Sequence, residues 1–311
     1  MHYVHVDQVK NSSIAMEALM YLPDQWSNNT LTYQGLAHLG ARSIQIQTHN
    51  AHHIARRLLC IMCDFDKVQL IVQGEKKPTE TQKLNYYQAI LRFNQHEPLS
   101  RIENIGYFYG FDFEISSDTL DPRPETELLI DLLRQAYPDT QQPLKMLDIG
   151  TGSGCLAVTA ARFYPNSMVT ALDICEKALI IAQRNAHRAN VQAQINFSLT
   201  NDLLTDLEPI LYDVILCNPP YIPQATREYL DRSVIDYDPE VALFYGDDGL
   251  GFYNILADMS EKSFKKKGSI FIEFGIGQAK CIKKIFAEKN LQNFNAIKDR
   301  NQIIRAAHIQ F

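Results

Sequence analysis

From residue 146 onward, short apolar segments alternate with longer segments of helical periodicity. The apolar segments predict strands and the segments between them predict helices. Strands are predicted at 146–149, 168–172, 196–199, 213–217 and 269–274, helices at 155–163, 176–189 and 250–264, and a closing pair of strands at 294–298 and 303–311. This alternation predicts a parallel sheet with right-handed crossovers. Such sheets bind ligands at the carboxyl ends of their strands, so the loops at that edge are expected to carry the chemistry.

The region before this sheet predicts a small helical module and an extended linker. Apolar positions recur at helical spacing over 52–72 and 83–93. The segment 106–116 alternates around Gly110, which predicts a short hairpin, and the prolines that follow it, Pro122 and Pro124, exclude a continuous helix there. We therefore divide the chain into an unassigned extension (1–32), a helical domain (33–95), a hairpin linker (96–120) and the sheet domain (121–311).

The composition argues against several classes of protein. No apolar run reaches the ~20 residues that a membrane span needs. Lys and Arg number 30 against 36 Asp and Glu, a net charge of −6, which weighs against a nucleic-acid partner because phosphate binding relies on basic side chains. The six cysteines are scattered, and the Cys60–Cys63 pair has no second pair of ligands at a matching spacing. We therefore expect reduced thiols, no metal site and a cytoplasmic location.

A glycine-rich loop follows the first predicted strand of the sheet domain. It consists of Gly150, Thr151, Gly152, Ser153 and Gly154. Glycines at such a turn permit positive φ and the close approach of a ligand. Asp173 ends the next strand, where a carboxylate can accept hydrogen bonds from both hydroxyls of a ribose. The loop alone could be a tight turn, but the loop and the acid together predict a nucleoside-binding site.

A second motif, Asn218, Pro219, Pro220 and Tyr221, follows the strand predicted at 213–217. The two prolines fix φ and donate no backbone hydrogen bond, so the loop presents stiff carbonyl acceptors, to which Asn218 adds its side-chain carbonyl. Two acceptors at one place suit a planar NH2 group, whose hydrogens both need partners once they are buried. Tyr221 can cover the face of such a group. The motif therefore predicts a site for a planar amino group.

With both motifs, the chain resembles the class I S-adenosylmethionine-dependent methyltransferases. More closely, it resembles the HemK/PrmC family, which methylates N5 of the glutamine in the Gly-Gly-Gln motif of peptide chain release factors. The resemblance spans about residues 45–311 and is carried by the linker at 97–116, PRPETE at 122–127, LDIGTGSG at 147–154, Asp173, NPPYI at 218–222, DPEVAL at 238–243, FIEFGIGQ at 271–278 and KDRNQIIRA at 298–306. The chain departs from the family at Asp121, where an aliphatic residue is usual, and at Leu203, where an aromatic residue is frequent.

The resemblance implies a seven-stranded, mostly parallel sheet with an antiparallel last strand, and S-adenosyl-L-methionine as the cofactor. It implies that the glycine loop wraps the methionine and ribose portions of that cofactor and that Asp173 holds the ribose. Asp202 and Leu203 are expected against the adenine, and Glu125 and Thr126 at the cofactor entrance.

The same resemblance implies how a substrate amide is held. Asn218 and the Pro219 carbonyl would accept its hydrogens, with Pro220 and Tyr221 completing the pocket. The helical module is interpreted either as a folding appendage or as a clamp for the release factor.

Two other substrates are compatible with these motifs. An enzyme that methylates a glutamine of a large-subunit ribosomal protein shares NPPY, but Pro-Arg-Ser-Pro is expected there in place of PRPETE. An adenine-N6 nucleic-acid methyltransferase could hold an adenine amino group in the same tetrapeptide, although such enzymes usually need a basic groove or an added recognition domain. A scaffold without activity is a third interpretation, against which the complete glycine loop, Asp173 and NPPY argue.

Overall fold

The computed structural model describes residues 22–46, 48–201 and 211–310, except for the side chains of 260–267. The chain divides into two compact units, with the division in sequence between Glu103 and Asn104. The described part of the first unit is helical, and the second unit contains both β-sheets.

The amino-terminal unit consists of short helices around one apolar core. Its described helices are α1 (Asp24–Ser27), α2 (Tyr33–Ser43), α3 (Ala51–Cys63), α4 (Lys67–Val72), α5 (Glu80–Asn94) and α6 (Leu99–Glu103). Tyr86 lies at the centre of the core, and its hydroxyl donates to the Ala55 carbonyl at 3.0 Å. Gly40 makes this packing possible, since a Cβ at that position would lie 1.9 Å from the Tyr86 hydroxyl oxygen.

The helix predicted over 52–72 is in fact two helices, α3 and α4. Asp64 adopts a left-handed conformation (φ 54°) that ends α3, and Asp66 begins α4 as its N-cap. The Asp66 carboxylate accepts from the Gln69 backbone N–H at 2.7 Å, and the Gln69 side chain accepts from the Asp66 N–H at 2.8 Å. This reciprocal capping box satisfies two backbone donors that a new helix leaves unpaired, and it fixes the break.

Replacing Asp66 with Ala is expected to lower the free energy of unfolding by about 1 kcal/mol, because the N-cap acceptor of α4 is lost. Urea unfolding followed by circular dichroism measures the effect. Asp66→Asn is the matched control, since asparagine caps nearly as well and is expected to retain the stability. Equal losses in both variants would show that the carboxylate acts by charge instead of by capping.

The helical unit extends beyond the predicted 33–95 at both ends. Leu22 and Trp26 are buried in its core, and the Trp26 ring packs against Tyr86 and Tyr87 at centroid distances of 5.7 and 4.9 Å. At the other end, Ile102 on α6 is buried in the same core. Part of the predicted extension and part of the predicted linker are therefore core elements of this unit, and residues 1–21 of the extension lie outside the described residues.

The second unit begins with the hairpin that the alternation around Gly110 predicted. Strands β1 (Ile105–Phe108) and β2 (Phe111–Glu114) pair antiparallel through a two-residue turn. Tyr109 and Gly110 both have positive φ (52° and 80°), as the tightest hairpin turns require. The Glu127 carboxylate accepts from the Tyr109 N–H at 2.7 Å and stabilises the strained turn.

A seven-stranded sheet forms the centre of this unit. Its strands are β3 (Lys145–Ile149), β4 (Met168–Asp173), β5 (Ile195–Leu199), β6 (Tyr212–Cys217), β7 (Phe264–Glu273), β8 (Asn293–Lys298) and β9 (Ile304–Gln310), in the spatial order β5-β4-β3-β6-β7-β9-β8. Strands β3 to β7 are parallel, and β9 lies between β7 and β8 and is antiparallel to both. The predicted mostly parallel sheet with an antiparallel last strand is confirmed.

Apolar clusters cover both faces of the sheet. One contains α7 (Glu127–Ala136), α8 (Cys155–Phe163), part of α9 (Glu176–Arg188) and the hairpin, and the other contains α12 (Gly251–Ser263) and α13 (Ala279–Glu288). Two short helices, α10 (Arg232–Ile235) and α11 (Glu240–Leu243), follow β6. Helices α7 and α13 were not predicted. Within the described residues, no helix combines the length and apolarity that crossing a bilayer requires.

The strand order reverses between β3 and β6, and this reversal positions the candidate site. β3 leads on to β4 and β5 on one side, whereas β6 pairs with the other side of β3. In that pairing Ile149 is opposite Cys217, the last residues of the two strands. Gly150 and Asn218 therefore leave neighbouring strand ends, at the switch point where open α/β sheets bind their ligands.

Candidate active site

The glycine loop after β3 is held by its backbone and leaves one side open. Gly150, Gly152 and Gly154 have φ values of 71°, 55° and 81°, which L-residues rarely adopt. A Cβ at Gly150 would meet no atom within 4 Å, whereas one at Gly154 would lie 3.0 Å from the Cβ of Ala182. Gly150 therefore leaves room for a ligand beside the backbone, and Gly154 permits close packing of α8 on α9.

The side chains of Thr151 and Ser153 point into the protein. Both are buried, and the Thr151 hydroxyl donates to Asp148 at 2.7 Å. The same Asp148 oxygen accepts from the Ala157 N–H at 3.1 Å, so this buried carboxyl ties the loop to the first turn of α8. The side chains of residues 151 and 153 thus support the loop from the protein interior. Only their backbone groups are left to contact a ligand.

Asp173, at the end of β4, braces the loop. Its Oδ2 accepts from the Gly152 N–H at 2.8 Å, and its Oδ1 accepts from the Cys175 N–H at 2.9 Å. Burial raises the pKa of this carboxyl, and hydrogen bonds from the backbone N–H groups of Cys175, Gly152 and Ile174 oppose that rise. Beside it, Ile174 exposes an apolar side chain at the surface (53% accessible). These features fit a nucleoside. The carboxylate and the open backbone at Gly150 suit its polar sugar, and the apolar surface of Ile174 suits its base.

The NPPY loop after β6 is fixed from behind through the Tyr221 carbonyl. The Gln278 side chain donates to that carbonyl at 2.9 Å. A Cβ at Gly249 would lie only 2.2 Å from the same oxygen, so the absence of a side chain there allows the loop its position. None of the described residues donates to the Pro219 carbonyl. The carbonyl predicted to accept from a substrate is therefore available.

Asn218 is connected to a buried network that the sequence analysis did not predict. Its Nδ2 donates to the Thr126 hydroxyl oxygen at 2.9 Å, and the Thr126 hydroxyl donates to Glu273 Oε2 at 2.6 Å. The Tyr221 hydroxyl donates to the other oxygen, Oε1, at 3.2 Å. Burial raises the pKa of Tyr221 above its ordinary value, so this hydroxyl stays protonated and able to donate. Four side chains from three distant segments thus form one polar cluster.

Thr126 was predicted at the cofactor entrance, and that contact stays a prediction. Its side chain is buried (2% accessible) beneath Asn218 and contacts Glu273. Glu125 is half-buried, and its charge raises the pKa of Glu273. The ion pair between Arg123 and the buried Asp238 holds the 121–126 segment against the segment after NPPY.

Asp148 and Glu273 are buried carboxyl groups, and burial raises the pKa of each to about 7. Because an unfolded Glu ionises near pH ~4.3, the unfolded chain releases this proton at lower pH than the folded chain does. The contribution of Glu273 to stability is therefore expected to fall as the pH rises between about 4 and 7. Urea unfolding at several pH values tests this: the stability of the wild type relative to Glu273→Gln should decline across that window. A difference that stays constant or grows with pH would contradict the raised pKa.

Two predicted adenine neighbours, Asp202 and Leu203, lie outside the described residues.

Within the described part of the chain, no three His, Cys, Asp or Glu side chains come together as metal ligands would. All six cysteines are free thiols, and burial raises the pKa of Cys63 to about 12, which makes it a poor ligand or nucleophile.

Comparison with known proteins identifies the family. Two family models match: the Methyltransferase small domain over residues 115–235 and the PrmC N-terminal domain over residues 36–103. The release factor glutamine methyltransferase of Koribacter versatilis is 36% identical over 252 residues, covering 81% of this chain and 88% of that protein. The one from Geobacter sulfurreducens is 30% identical over 284 residues, covering 91% of this chain and 96% of that protein. This chain belongs to the release factor glutamine methyltransferase family.

The fold extends to more distant proteins as well. The catalytic domain of hMettl16, solved in complex with a MAT2A 3′UTR hairpin, is 16% identical, with a TM-score of 0.51 over 74% of this chain and 79% of that one. At this identity the likeness concerns the fold alone. As a member of the release factor glutamine methyltransferase family, the chain is a methyltransferase with S-adenosylmethionine as its cofactor, as the family resemblance implied.

Four residues at the site were not predicted as site residues from the sequence: Asp148, Ile174, Glu273 and Gln278. Asp148, Glu273 and Gln278 lie within motifs that the resemblance named, LDIGTGSG and FIEFGIGQ. Asp148 and Glu273 could have been singled out from the sequence, because an acidic residue inside an apolar strand is rarely buried without a partner.

Proposed function

We propose that this enzyme transfers the methyl group of S-adenosylmethionine to the N5 amide nitrogen of the glutamine in the Gly-Gly-Gln motif of release factors. The observation that carries the proposal is the pair of acceptors at NPPY. Asn218, whose NH2 end is bound to Thr126, and the Pro219 carbonyl lie beside the glycine loop at adjacent strand ends. Membership of the family and the names of these relatives support this substrate.

The cofactor is proposed to lie across the ends of β3 and β4. Gly150 to Gly154 would surround its methionine and ribose portions, Asp173 would hold the ribose, and Ile174 would cover one face of the adenine. Asp202, Leu203 and Glu125 stay predicted contacts. When bound, S-adenosylmethionine supplies an electrophilic methyl group on a sulfonium centre.

The protein's own contribution is to orient and polarise a poor nucleophile. The lone pair of an amide nitrogen is delocalised into its carbonyl. Two acceptors on the NH2 hydrogens favour positive charge on that nitrogen, so they stabilise the transition state more than the ground state. They also aim the nitrogen in line with the methyl group, which is the positional part of catalysis. No strong general base is required, because the methylated amide cation loses its proton readily.

The helical unit is proposed as the surface that recognises the release factor, since one glutamine side chain is too small to define a protein substrate. We further propose that the enzyme acts in the cytoplasm without binding nucleic acid directly. The net charge of −6 supports this, because it disfavours contact with a phosphate backbone.

Mass spectrometry of a release factor incubated with the enzyme and S-adenosylmethionine tests the proposal. We expect a gain of one methyl group on the Gly-Gly-Gln glutamine and none on a release factor in which that glutamine is replaced by glutamate. A large-subunit ribosomal protein and a single-stranded adenine-containing DNA serve as competing substrates in the same assay. Preferential methylation of either would overturn the assignment.

A further inference from the structure

The hydrogen bonds between Asn218, Thr126 and Glu273 have a definite direction. A threonine hydroxyl carries one hydrogen, which it can donate only once, and an ionised carboxylate only accepts. The 2.6 Å contact between the Thr126 hydroxyl and Glu273 Oε2 is as short as charge-assisted O–H···O⁻ bonds usually are. Burial raises the pKa of Glu273 to about 7, and the hydrogen bonds from Thr126 and Tyr221 and the charge of Arg305 oppose that rise, so the carboxylate predominates above this pH. With Glu273 ionised, both of its oxygens only accept, and the single Thr126 hydrogen points towards Glu273.

This direction determines which end of the Asn218 amide faces Thr126. With its hydrogen donated to Glu273, the Thr126 oxygen can only accept, and it accepts from Asn218 Nδ2 at 2.9 Å. The amide carbonyl, Oδ1, then lies on the other side of the planar group, and no described residue donates to it. The terminal torsion of asparagine is broad and roughly two-fold, so without this contact the amide could rotate and present its NH2 end instead.

We propose that Glu273 and Thr126 are positioning residues that hold Asn218 with its carbonyl oxygen towards the substrate, so that the pocket accepts an NH2 group. This inference rests on the proposed function for its catalytic meaning, but the orientation itself is a property of the free enzyme. A reversed Asn218 would place a donor against the two hydrogens of the substrate amide. Glu273, buried and in contact with the Thr126 hydroxyl, thereby sets the hydrogen-bond polarity of the pocket through Thr126.

Nuclear magnetic resonance of the free enzyme tests the orientation without any substrate. In protein labelled with ¹⁵N only at asparagine, the Asn218 NH2 signal is identified by its absence in Asn218→Ala. We expect one of its protons to be shifted downfield and protected from exchange with water. Thr126→Val, which keeps the shape and removes the hydroxyl, should abolish both signatures, and Thr126→Ser should preserve them. An Asn218 NH2 group in the wild type that behaves as fully solvated would overturn the proposal.

A double-mutant cycle tests whether Thr126 acts through Asn218. Thr126→Val is expected to lower kcat roughly 10-fold, the scale of one hydrogen bond, with an unchanged Kd for S-adenosylmethionine. In the Asn218→Ala background the same substitution should change kcat by less than about 2-fold, because the group that it positions is already gone. Thr126→Ser should recover the activity of the wild type to within about 3-fold.

Other outcomes decide against the proposal. Equal losses in both backgrounds would show that Thr126 is only structural, and an unchanged kcat in Thr126→Val would show that Asn218 needs no positioning. If Thr126→Val folds poorly because Glu273 loses its partner, the variant Thr126→Val/Glu273→Gln removes the unpaired charge and is evaluated in the same way. If the wild-type enzyme leaves release factors unmethylated, the proposed function is contradicted. The nuclear magnetic resonance experiment would still test the orientation of the Asn218 amide, because it needs no substrate.

Discussion

Replacing Asn218 with Ala is expected to lower kcat by roughly 10²–10³, the loss typical of removing one preorganised polar group from an active site. The Kd for S-adenosylmethionine should stay within about 2-fold of the wild type, because the described partner of Asn218 is Thr126 and not the glycine loop. Single-turnover methylation of a release factor gives the rate, and calorimetry with the cofactor gives the affinity. The variant thus separates the handling of the amide from the binding of the cofactor.

The matched control is Asn295→Ala, which removes an exposed asparagine on β8. It should leave both kcat and cofactor affinity unchanged. If Asn218→Ala weakened cofactor binding as much as it lowered kcat, Asn218 would be a structural residue of the strand end and the proposed catalytic role would fail.

Replacing Asp173 with Ala is expected to have the opposite pattern, with a Kd for S-adenosylmethionine raised roughly 10²-fold. Its carboxylate accepts from the backbone at Gly152 and at Cys175, and hydrogen bonds to a charged acceptor each contribute about 1.5–3 kcal/mol. In Asp173→Ala the Gly152 N–H loses the acceptor that holds the glycine loop in place, and the ribose loses its predicted partner. At saturating cofactor, kcat should fall by less than about 3-fold, since binding and not chemistry is affected.

Calorimetry with S-adenosylmethionine measures the affinity, and steady-state rates at several cofactor concentrations measure kcat. Asp173→Asn should be intermediate, because an amide keeps one acceptor and loses the charge. Asp112→Ala, on the exposed side of the hairpin, is the control and should bind the cofactor as the wild type does. A normal Kd in Asp173→Ala would mean that the glycine loop holds its shape unaided and that the ribose is bound elsewhere.

The sequence predicted the sheet well because strand periodicity and strand-end loops are local signals. The pattern over 146–149 and 213–217 predicted β3 and β6, and their pairing then brings Gly150 and Asn218 side by side. Helix α7 was not predicted, although the two prolines that exclude a continuous helix lie before it: Pro124 begins a short 3₁₀ turn, Pro124–Thr126, that leads into α7. The break between α3 and α4 depends on the left-handed conformation of Asp64, which apolar spacing does not reveal.

The buried network behind Asn218 could not be predicted from one sequence. Thr126 and Glu273 are separated by 147 positions, and their contact depends on how α7 and β7 pack. Each residue was visible within a motif, PRPETE or FIEFGIGQ, but nothing local indicates that the two motifs meet. The sequence therefore predicted the groups expected to touch ligands and missed the groups that support them.

The position of β9 has a consequence for how the protein is synthesised. It pairs with both β7 and β8, although the ribosome makes it after either of them. Until residues 304–310 emerge, the apolar segment 270–272 of β7 has an open edge, and such edges template association between chains. We therefore expect nascent polypeptides of this enzyme to depend on chaperone protection at β7, and prematurely terminated ones to aggregate through it.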